Sequence, residues 1–480
     1  MKCDEAEPYC TRCTSTGRRC DGYPPAPRVD LLVHESRRLN TNGRHDGEGR
    51  AFAFFRQVAG PALSGQFDPY FWTNVVTQLS DREPAVRHAV VALSSLYEQF
   101  HDVATSPFLA PPNHFAVRHY NAAIKELLSA RDETVVLFVC ALFVCVEFLQ
   151  GNKQSAIDHC RSGILILNRA GASSAWARDY LLAIFCRLSI FPFFFGCTVS
   201  SFPDVAGLDA KIPAPFSSMT DAQSSLDVIL SASIRFIRSS DDYRLRELRH
   251  TAIPTSMWEK QDSLETTLNE WHCAFSEFQT VHPRSNSDSS ARCLLQMRFL
   301  VVQIWVNVAL EQSEMAYDRH VDKFWSIVDL ASQVAPPGSH ALDRSPRPKF
   351  IFDMGFTPLL YFAVMKCRSL PIRLTALSWM KALGVDRENL WDLSTMYRVG
   401  RRLIEIEHEI DLDDITVQSS LSRYAQVPPE ERRIREVMLG PAVDIRQDDN
   451  GCQVLWTQMH SILWKPVDEL VTQSEWIAIS

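Results

Sequence analysis

The sequence predicts an all-α protein: a large bundle of stacked helices, preceded by a short cysteine-rich segment and a flexible linker. Three observations predict it. Glycine (18) and proline (26) together are about 9% of the 480 residues, below the roughly 12% of average usage, which argues against a turn-dense all-β chain. Hydrophobic residues reach 46% and charged ones 22%, enough apolar material for a sizeable core. From Ala51 onward, apolar residues recur at helical spacing nearly throughout. The longest unbroken apolar run, Val135 to Val146, falls short of the ~20 residues a membrane span needs. Met1-Lys2-Cys3-Asp4-Glu5 opens no apolar stretch, so no signal peptide is read there. The expectation is a soluble, intracellular protein with no membrane partner.

Charge and cysteine are unevenly spread. The net charge is −8, but residues 1–50 balance at +1 and the remaining 430 at −9. An acidic body is a poor polyanion binder, because each phosphate contact needs a cation. Any nucleic-acid contact is therefore expected within the first fifty residues. Four of the thirteen cysteines lie at positions 3, 10, 13 and 20. An odd total without a secretion signal makes reduced thiols or metal ligands the default.

The spacing is Cys3-x6-Cys10-x2-Cys13-x6-Cys20. A C-x2-C pair suits zinc, because its two-residue turn lets both thiolates reach one tetrahedral ion. Pro8, Thr14 to Thr16 and Gly17 are compatible with a chain wrapping around metal. Twenty residues hold almost no hydrophobic core, so order there requires metal, which supplies an apparent ~10–16 kcal/mol in structural sites.

Lys2-Cys3-Asp4-Glu5, Pro8, Cys10-Thr11-Arg12-Cys13 and Thr16-Gly17-Arg18-Arg19-Cys20-Asp21-Gly22-Tyr23 resemble the second half of a fungal binuclear zinc-cluster DNA-binding domain. That family carries six cysteines, and Cys3, Cys10, Cys13 and Cys20 fall on its third to sixth ligands. The resemblance implies zinc as cofactor, DNA as partner, a nuclear location and regulation of RNA polymerase II transcription. The family's first C-x2-C pair and the basic stretch after it have no counterpart in this sequence. Two bridged zincs need six thiolates, so the four present are expected to hold at most one ion. Metal-free thiols are the competing reading. A mis-called start and a genuine loss of DNA binding both remain open as reasons, and the first is favoured. The family reads bases from the stretch between its second and third ligands, of which only Lys2 remains. Arg12, Arg18 and Arg19 are candidates for phosphate contacts, which position a protein without specifying sequence; solvated loop charge is the bland alternative.

Pro24-Pro25-Ala26-Pro27 and the polar stretch Arg37 to Arg50 read as a connector. No heptads follow the last cysteine, so a homodimer would form through the body. In the body, Ser80-x-x-Glu83 reads as a capping box opening a helix with the stripe Val86, Val90, Leu93 and Tyr97. Tyr120, Ile124, Leu127 and Leu128 repeat the stripe. Val135 to Leu149, with Glu147 its lone charge, reads as the central helix of a bundle, stopped by Gly151. Ala156, Cys160, Ile164 and Leu167 form another face, closed by Gly171. Further helices are expected at about 176–190, 222–237, 255–280, 291–317, 321–335, 358–383 and 394–410.

Several stretches resemble the fungal-specific transcription factor domain: Leu63-Ser64-Gly65, Phe71-Trp72, Glu83 to Ala89, Leu93 to Glu98, His119 to Ile124, Leu149-Gln150-Gly151, Lys366-Cys367-Arg368, Pro371-Ile372-Arg373 and Leu390-Trp391-Asp392. This resemblance implies an all-helical regulatory domain that meets effectors or transcriptional co-regulators and carries no catalytic residues. The organisation expected is a partial zinc cluster over 1–22, a linker over 23–50, the regulatory domain over 51–440 and its extension over 441–480.

Neither G-x-x-x-x-G-K nor G-x-S-x-G occurs, and His408-Glu409 lacks the second histidine of a zincin. The acidic run Glu405, Glu407, Glu409, Asp411, Asp413 and Asp414 reads as the wet face of a helix buried through Met396, Val399, Leu403 and Ile406 rather than as a cation site. His159 and Cys160 are neighbours that do not face each other on a helix. Cys140, Cys145 and Cys160 read as core thiols. Phe191, Phe193, Phe194 and Phe195 around Pro192 read as buried packing at a helix break rather than a ligand pocket. The reading is a zinc-cluster transcription factor, not an enzyme, with an incomplete DNA-binding module. The alternative is a helical interaction or effector-sensing protein without autonomous DNA binding.

Overall fold

The computed structural model describes residues 46–67, 70–102, 111–130, 132–169, 175–208, 212, 215–282, 289–334, 347–413, 427–447, 453–465 and 469–479. Helices dominate these residues and the sheets are small. Helix α1 (Asp46–Phe54) widens through Phe55–Ala59 into α2 (Gly60–Leu63), and Phe71–Val75 leads into α3 (Val76–Arg82). The connector read over 23–50 therefore loses its last five residues to α1. The physical reason is tertiary: Ala51, Phe52 and Phe55 are buried, and Arg50 pairs with Glu98.

Helix α4 (Pro84–Asp102) buries Val86, Val90, Leu93 and Tyr97 as its stripe requires. The capping box does not form. Ser80 lies inside α3, its hydroxyl donating to the Thr77 carbonyl at 2.7 Å, and Glu83 is the extended joint between two helices. Helix α5 (His114–Leu127) corrects the reading of its own face. Leu128 is 85% exposed and Ile124 is exposed too, while Ala116, His119 and Ala123 are buried. Small side chains let α5 lie close against α4.

Helix α6 (Glu133–Gln150) is buried on nearly every side, Glu147 included, and ends where Gly151 adopts φ 70°. It is apolar and long enough to cross a membrane, yet it lies inside the protein as a core helix. The guanidinium of Arg387 donates to the Phe148 and Leu149 carbonyls, both at 3.3 Å, answering acceptors that the helix end leaves open. Helix α7 (Lys153–Arg169) buries Ala156, Cys160 and Ile164; Gly171 lies outside the described residues. Helix α8 (Ala175–Leu188) ends before Pro192, and a tight turn, Phe191–Phe194, follows.

The chain continues through α9 (Met219–Leu245), α10 (Thr255–Val281) and α11 (Ser289–Asn307), a short 3₁₀ segment at Glu314–His320, then α12 (Val321–Val334). The single helix expected over 291–317 thus stops at Asn307. Helix α11 serves two cores. Leu295, Phe299, Val302 and Val306 join the first, built on α1 to α10; Leu294, Met297, Val301 and Ile304 join the second. The second core also takes α13 (Thr357–Lys366), α14 (Leu370–Leu383) and α15 (Leu393–His408). The helix expected over 358–383 breaks at Cys367–Ser369, before Pro371.

Two small sheets complete the body. In the first, β1 (Phe350–Ile351) runs parallel to β2 (Arg387–Glu388), which pairs antiparallel with β3 (Trp391–Asp392). The second is an antiparallel meander of β4 (Glu436–Gln447), β5 (Gln453–Lys465) and β6 (Glu469–Ala478). Its inner face, Leu455, Met459, Leu463 and Ile477, belongs to the second core, and Arg402 of α15 pairs with Glu475 at 3.0 Å. Strand β4 runs through position 441, where the sequence reading placed the start of an extension.

A Cβ at Gly163 of α7 would lie 2.3 Å from the ring of Phe185 of α8. Gly163→Ala is expected to lower stability by ~1–3 kcal/mol, the usual range for overpacking. It should be read as a lower urea midpoint with an unchanged slope. Adding Phe185→Leu should recover part of that loss, since residues in contact are not additive.

Candidate functional site

The predicted metal ligands Cys3, Cys10, Cys13 and Cys20 and the predicted DNA contacts Lys2, Arg12, Arg18 and Arg19 lie outside the described residues. Of the cysteines within them, Cys140, Cys145, Cys160, Cys186, Cys293 and Cys367 are buried. Burial pushes the thiols of Cys140 and Cys367 up to about 11. Cys160 packs with its Sγ 3.4 Å from the Leu188 carbonyl. These are core thiols far from their reactive thiolate form.

The acidic run of α15 and the turn after it is not uniformly wet. Glu405 meets Arg401 at 2.9 Å, Asp413 meets Arg401 at 2.7 Å and Glu409 meets Arg432 at 2.8 Å, while Asp414 lies outside the described residues. Glu407 departs from the reading. It is 1% exposed and accepts from Arg373 Nη1 at 2.6 Å, Arg368 Nη2 at 3.3 Å and the Ile434 amide at 2.7 Å. Sequence periodicity treats every carboxylate as solvated, whereas this one faces inward because two arginines meet it there.

Arg368 also reaches Glu314, which is fully buried. Glu314 accepts from Arg244 at 3.2 Å, from Lys366 at 3.0 and 3.1 Å and from Arg368 at 3.1 Å. Lys366 donates further to the Arg435 carbonyl at 2.7 Å, and Arg368 to the Ile434 carbonyl at 3.1 Å. Arg433 forks onto Asp318 at 2.7 and 2.8 Å. One ionic hub thus joins α9, the 3₁₀ segment, the α13–α14 joint, α15 and the approach to β4. Burial alone would raise the Glu314 carboxyl, but Lys366, Arg368 and Arg244 outweigh it and bring it down to about 2. Burial, reinforced by Arg368 and Arg244 against the pull of Glu314, brings Lys366 down to about 8. The excess of cations around Glu314 lowers its carboxyl outright and adds to the burial that lowers Lys366.

This hub contains the stretches Lys366-Cys367-Arg368 and Pro371-Ile372-Arg373. A sequence signal for it existed: cations set inside the apolar run Leu359 to Arg373. Another polar group stands on α5 to α7. Tyr120 donates to Glu147 at 2.8 Å and lies 2.7 Å from His159 Nε2. So His159 faces Tyr120 rather than Cys160. Burial raises the Glu147 carboxyl, opposed by bonds from Tyr120 and Asn152, and burial lowers His159. The aromatic cluster packs as read: Phe191 and Phe193 are buried, and Phe194 and Phe195 meet Trp391 at ring distances of 5.4 and 5.6 Å. Asp392 beside it caps α15 by accepting from Thr395 N at 2.9 Å.

With this geometry in view, the comparisons with known proteins are informative. The chain is 24% identical over 407 aligned positions to the aspercryptin biosynthesis cluster-specific transcription regulator atnN of Emericella nidulans, covering 70% of this chain and 63% of that protein. It is 30% identical over 198 positions to the transcription regulator lscL of Purpureocillium lilacinum, covering 35% and 46%. An uncharacterized transcriptional regulatory protein of Schizosaccharomyces pombe matches at 26% over 129 positions, covering 22% and 24%. The relatives are fungal transcription regulators. They support a role in transcription regulation. The chain spans less than two thirds of the length of these relatives. No family model matches it, and no solved structure does.

Glu314→Gln leaves three buried cations short of a carboxylate and is expected to destabilise by ~3–5 kcal/mol, measured by urea unfolding. A pH series tests a second feature. Burial, with Arg373 and Arg368 close by, brings His408 down to about 4; burial with Lys323 and Arg319 does the same for His320. Between about 4 and the usual 6.5 the unfolded chain binds more protons at these groups than the folded one, so they make stability fall as pH drops through that window. His320→Gln with His408→Gln should flatten the fall between about pH 7 and pH 5.

Proposed function

We propose that this chain is a nuclear regulator of RNA polymerase II transcription of the zinc-cluster class. In this reading the cysteine segment holds zinc and meets DNA, and the helical body governs the outcome through co-regulators. The observation that carries the reading is the alignment of 70% of the chain with a fungal transcription regulator. The spacing of Cys3, Cys10, Cys13 and Cys20 supports zinc as a structural ion there, at most one on these four thiolates, whose contribution is to fold the segment. Lys2, Arg12, Arg18 and Arg19 are the cations the segment offers to phosphates, and a homodimer, where one forms, would use the body.

A second reading is a helical interaction or effector-sensing regulator without autonomous DNA binding. It is favoured by the charge of −9 beyond residue 50 and by the sequestration of Arg244, Lys366, Arg368 and Arg373 inside the body. Binding of the full chain to duplex DNA over a salt series separates the two. Four phosphate contacts predict a log–log slope no steeper than about −4. Arg18→Ala with Arg19→Ala should reduce that slope by about 2 while leaving sequence preference unchanged. Affinity indifferent to salt and to these arginines would favour the second reading. Under both readings the full chain, tethered to a promoter by a neutral DNA-binding module, should change reporter output. An unchanged reporter with folded protein on the promoter would refute both.

A further inference from the structure

We infer that Glu48, His88 and His119 form a transition-metal site that clamps α1 onto α4 and α5. One ligand comes from each helix, and the three donor atoms lie within 4.8 Å of one another. Nothing in the sequence spacing brings them together; the fold does. The site uses none of the cysteines near the N-terminus and does not depend on the function proposed above.

The two imidazoles meet Nδ1 to Nδ1 at 2.9 Å. Two nitrogens bound to one tetrahedral zinc at 2.0–2.1 Å stand about 3.3 Å apart, so the pair needs to open by only a few tenths of an ångström. In the metal-free pair one Nδ1 carries the shared proton. The ion takes both lone pairs once that proton has moved to the ring's own Nε2, which keeps both imidazoles neutral. Glu48 Oε1 lies 3.9 Å from His119 Nε2, the other nitrogen of that ring, so the carboxylate has to swing toward the paired Nδ1 atoms to join them on one ion.

The surroundings hold these groups in place. The Phe115 ring centroid lies 4.6 Å from that of His119 and restricts its rotation. Arg87 Nε, 3.7 Å from Glu48 Oε2, engages the other carboxylate oxygen and leaves Oε1 toward the imidazoles. His119 is 6% exposed, with the His88 ring centroid 5.1 Å from its own. Two nitrogens and one oxygen suit zinc and its neighbours in the first transition row, whereas calcium and magnesium need oxygen ligands. Glu48 and His88 are half-buried, which leaves the fourth position of a tetrahedral ion open to water.

The test uses the full chain with Cys3, Cys10, Cys13 and Cys20 replaced by serine, stripped of metal and titrated with zinc and with cobalt(II). One equivalent of zinc is expected to bind and raise the thermal midpoint. The cobalt spectrum should show nitrogen and oxygen ligation without the charge-transfer bands of thiolates. His88→Gln and His119→Gln should each weaken zinc at least tenfold. Glu48→Gln, at a half-exposed position with little bearing on folding, should weaken it too. No stoichiometric zinc on the folded four-serine chain would overturn the site. So would uptake that is unchanged in a folded His88→Gln and His119→Gln double variant. Full affinity in Glu48→Gln would overturn the assignment of the carboxylate.

Discussion

A carboxylate without water must have its charge answered by close cations, and Glu314 imposes that condition on much of the second core. Desolvating an ion costs several kcal/mol even after relaxation, and only good geometry recovers it. The cations that answer Glu314 come from Arg244, Lys366 and Arg368, more than a hundred residues apart at the extremes. Lys366 and Arg368 also donate to the carbonyls of Arg435 and Ile434, so the strand that follows is set by the same condition. Apolar side chains of equal volume can often stabilise as well as a buried ion network. What they do not supply is direction. The hub's contribution is therefore registry, because a slip of one turn in α13 or α15 would strand a charge.

Direction also explains how the two cores meet. Helix α11 is apolar on opposite faces and belongs to both. Apolar packing alone tolerates small rotations about such a helix. Polar ties remove that tolerance: Gln261 donates to the Val306 carbonyl at 2.7 Å at its end, and Arg298 engages the Met354 carbonyl nearer its middle. Glu388 does similar work where α13 begins. Fully buried, its carboxyl accepts from the amides of Gly355 and Thr357 and from the Thr357 hydroxyl at 2.7 Å, tying it to a helix start.

What the sequence made legible follows from these physics. Long helices with large apolar stripes, such as Val86 to Tyr97 and Val135 to Leu149, were readable because burial there rewards size. Helix α5 was misread for the same reason: its contact face is Ala116, His119 and Ala123, and close approach needs small side chains rather than large ones. The strands β4 to β6 gave a weak signal because Thr457 and Ser461 occupy inward positions while Trp456, Ile462 and Trp464 lie on the other face. Glu407 was read as wet because a one-dimensional pattern cannot show Arg368 and Arg373 arriving from another helix. The cysteine and arginine positions near the N-terminus rest on spacing and on the family resemblance, and lie outside the described residues. Glu48, His88 and His119 come from three helices, and no spacing rule joins them.

The hub also bears on what the body can offer a partner. Beyond residue 50 the chain is acidic overall, and several of its cations are spent internally. Lys366, Arg368, Arg373, Arg433 and Arg435 are buried against carboxylates or backbone carbonyls. A cation held in this way cannot release counterions from a nucleic acid, so it adds nothing to polyanion affinity.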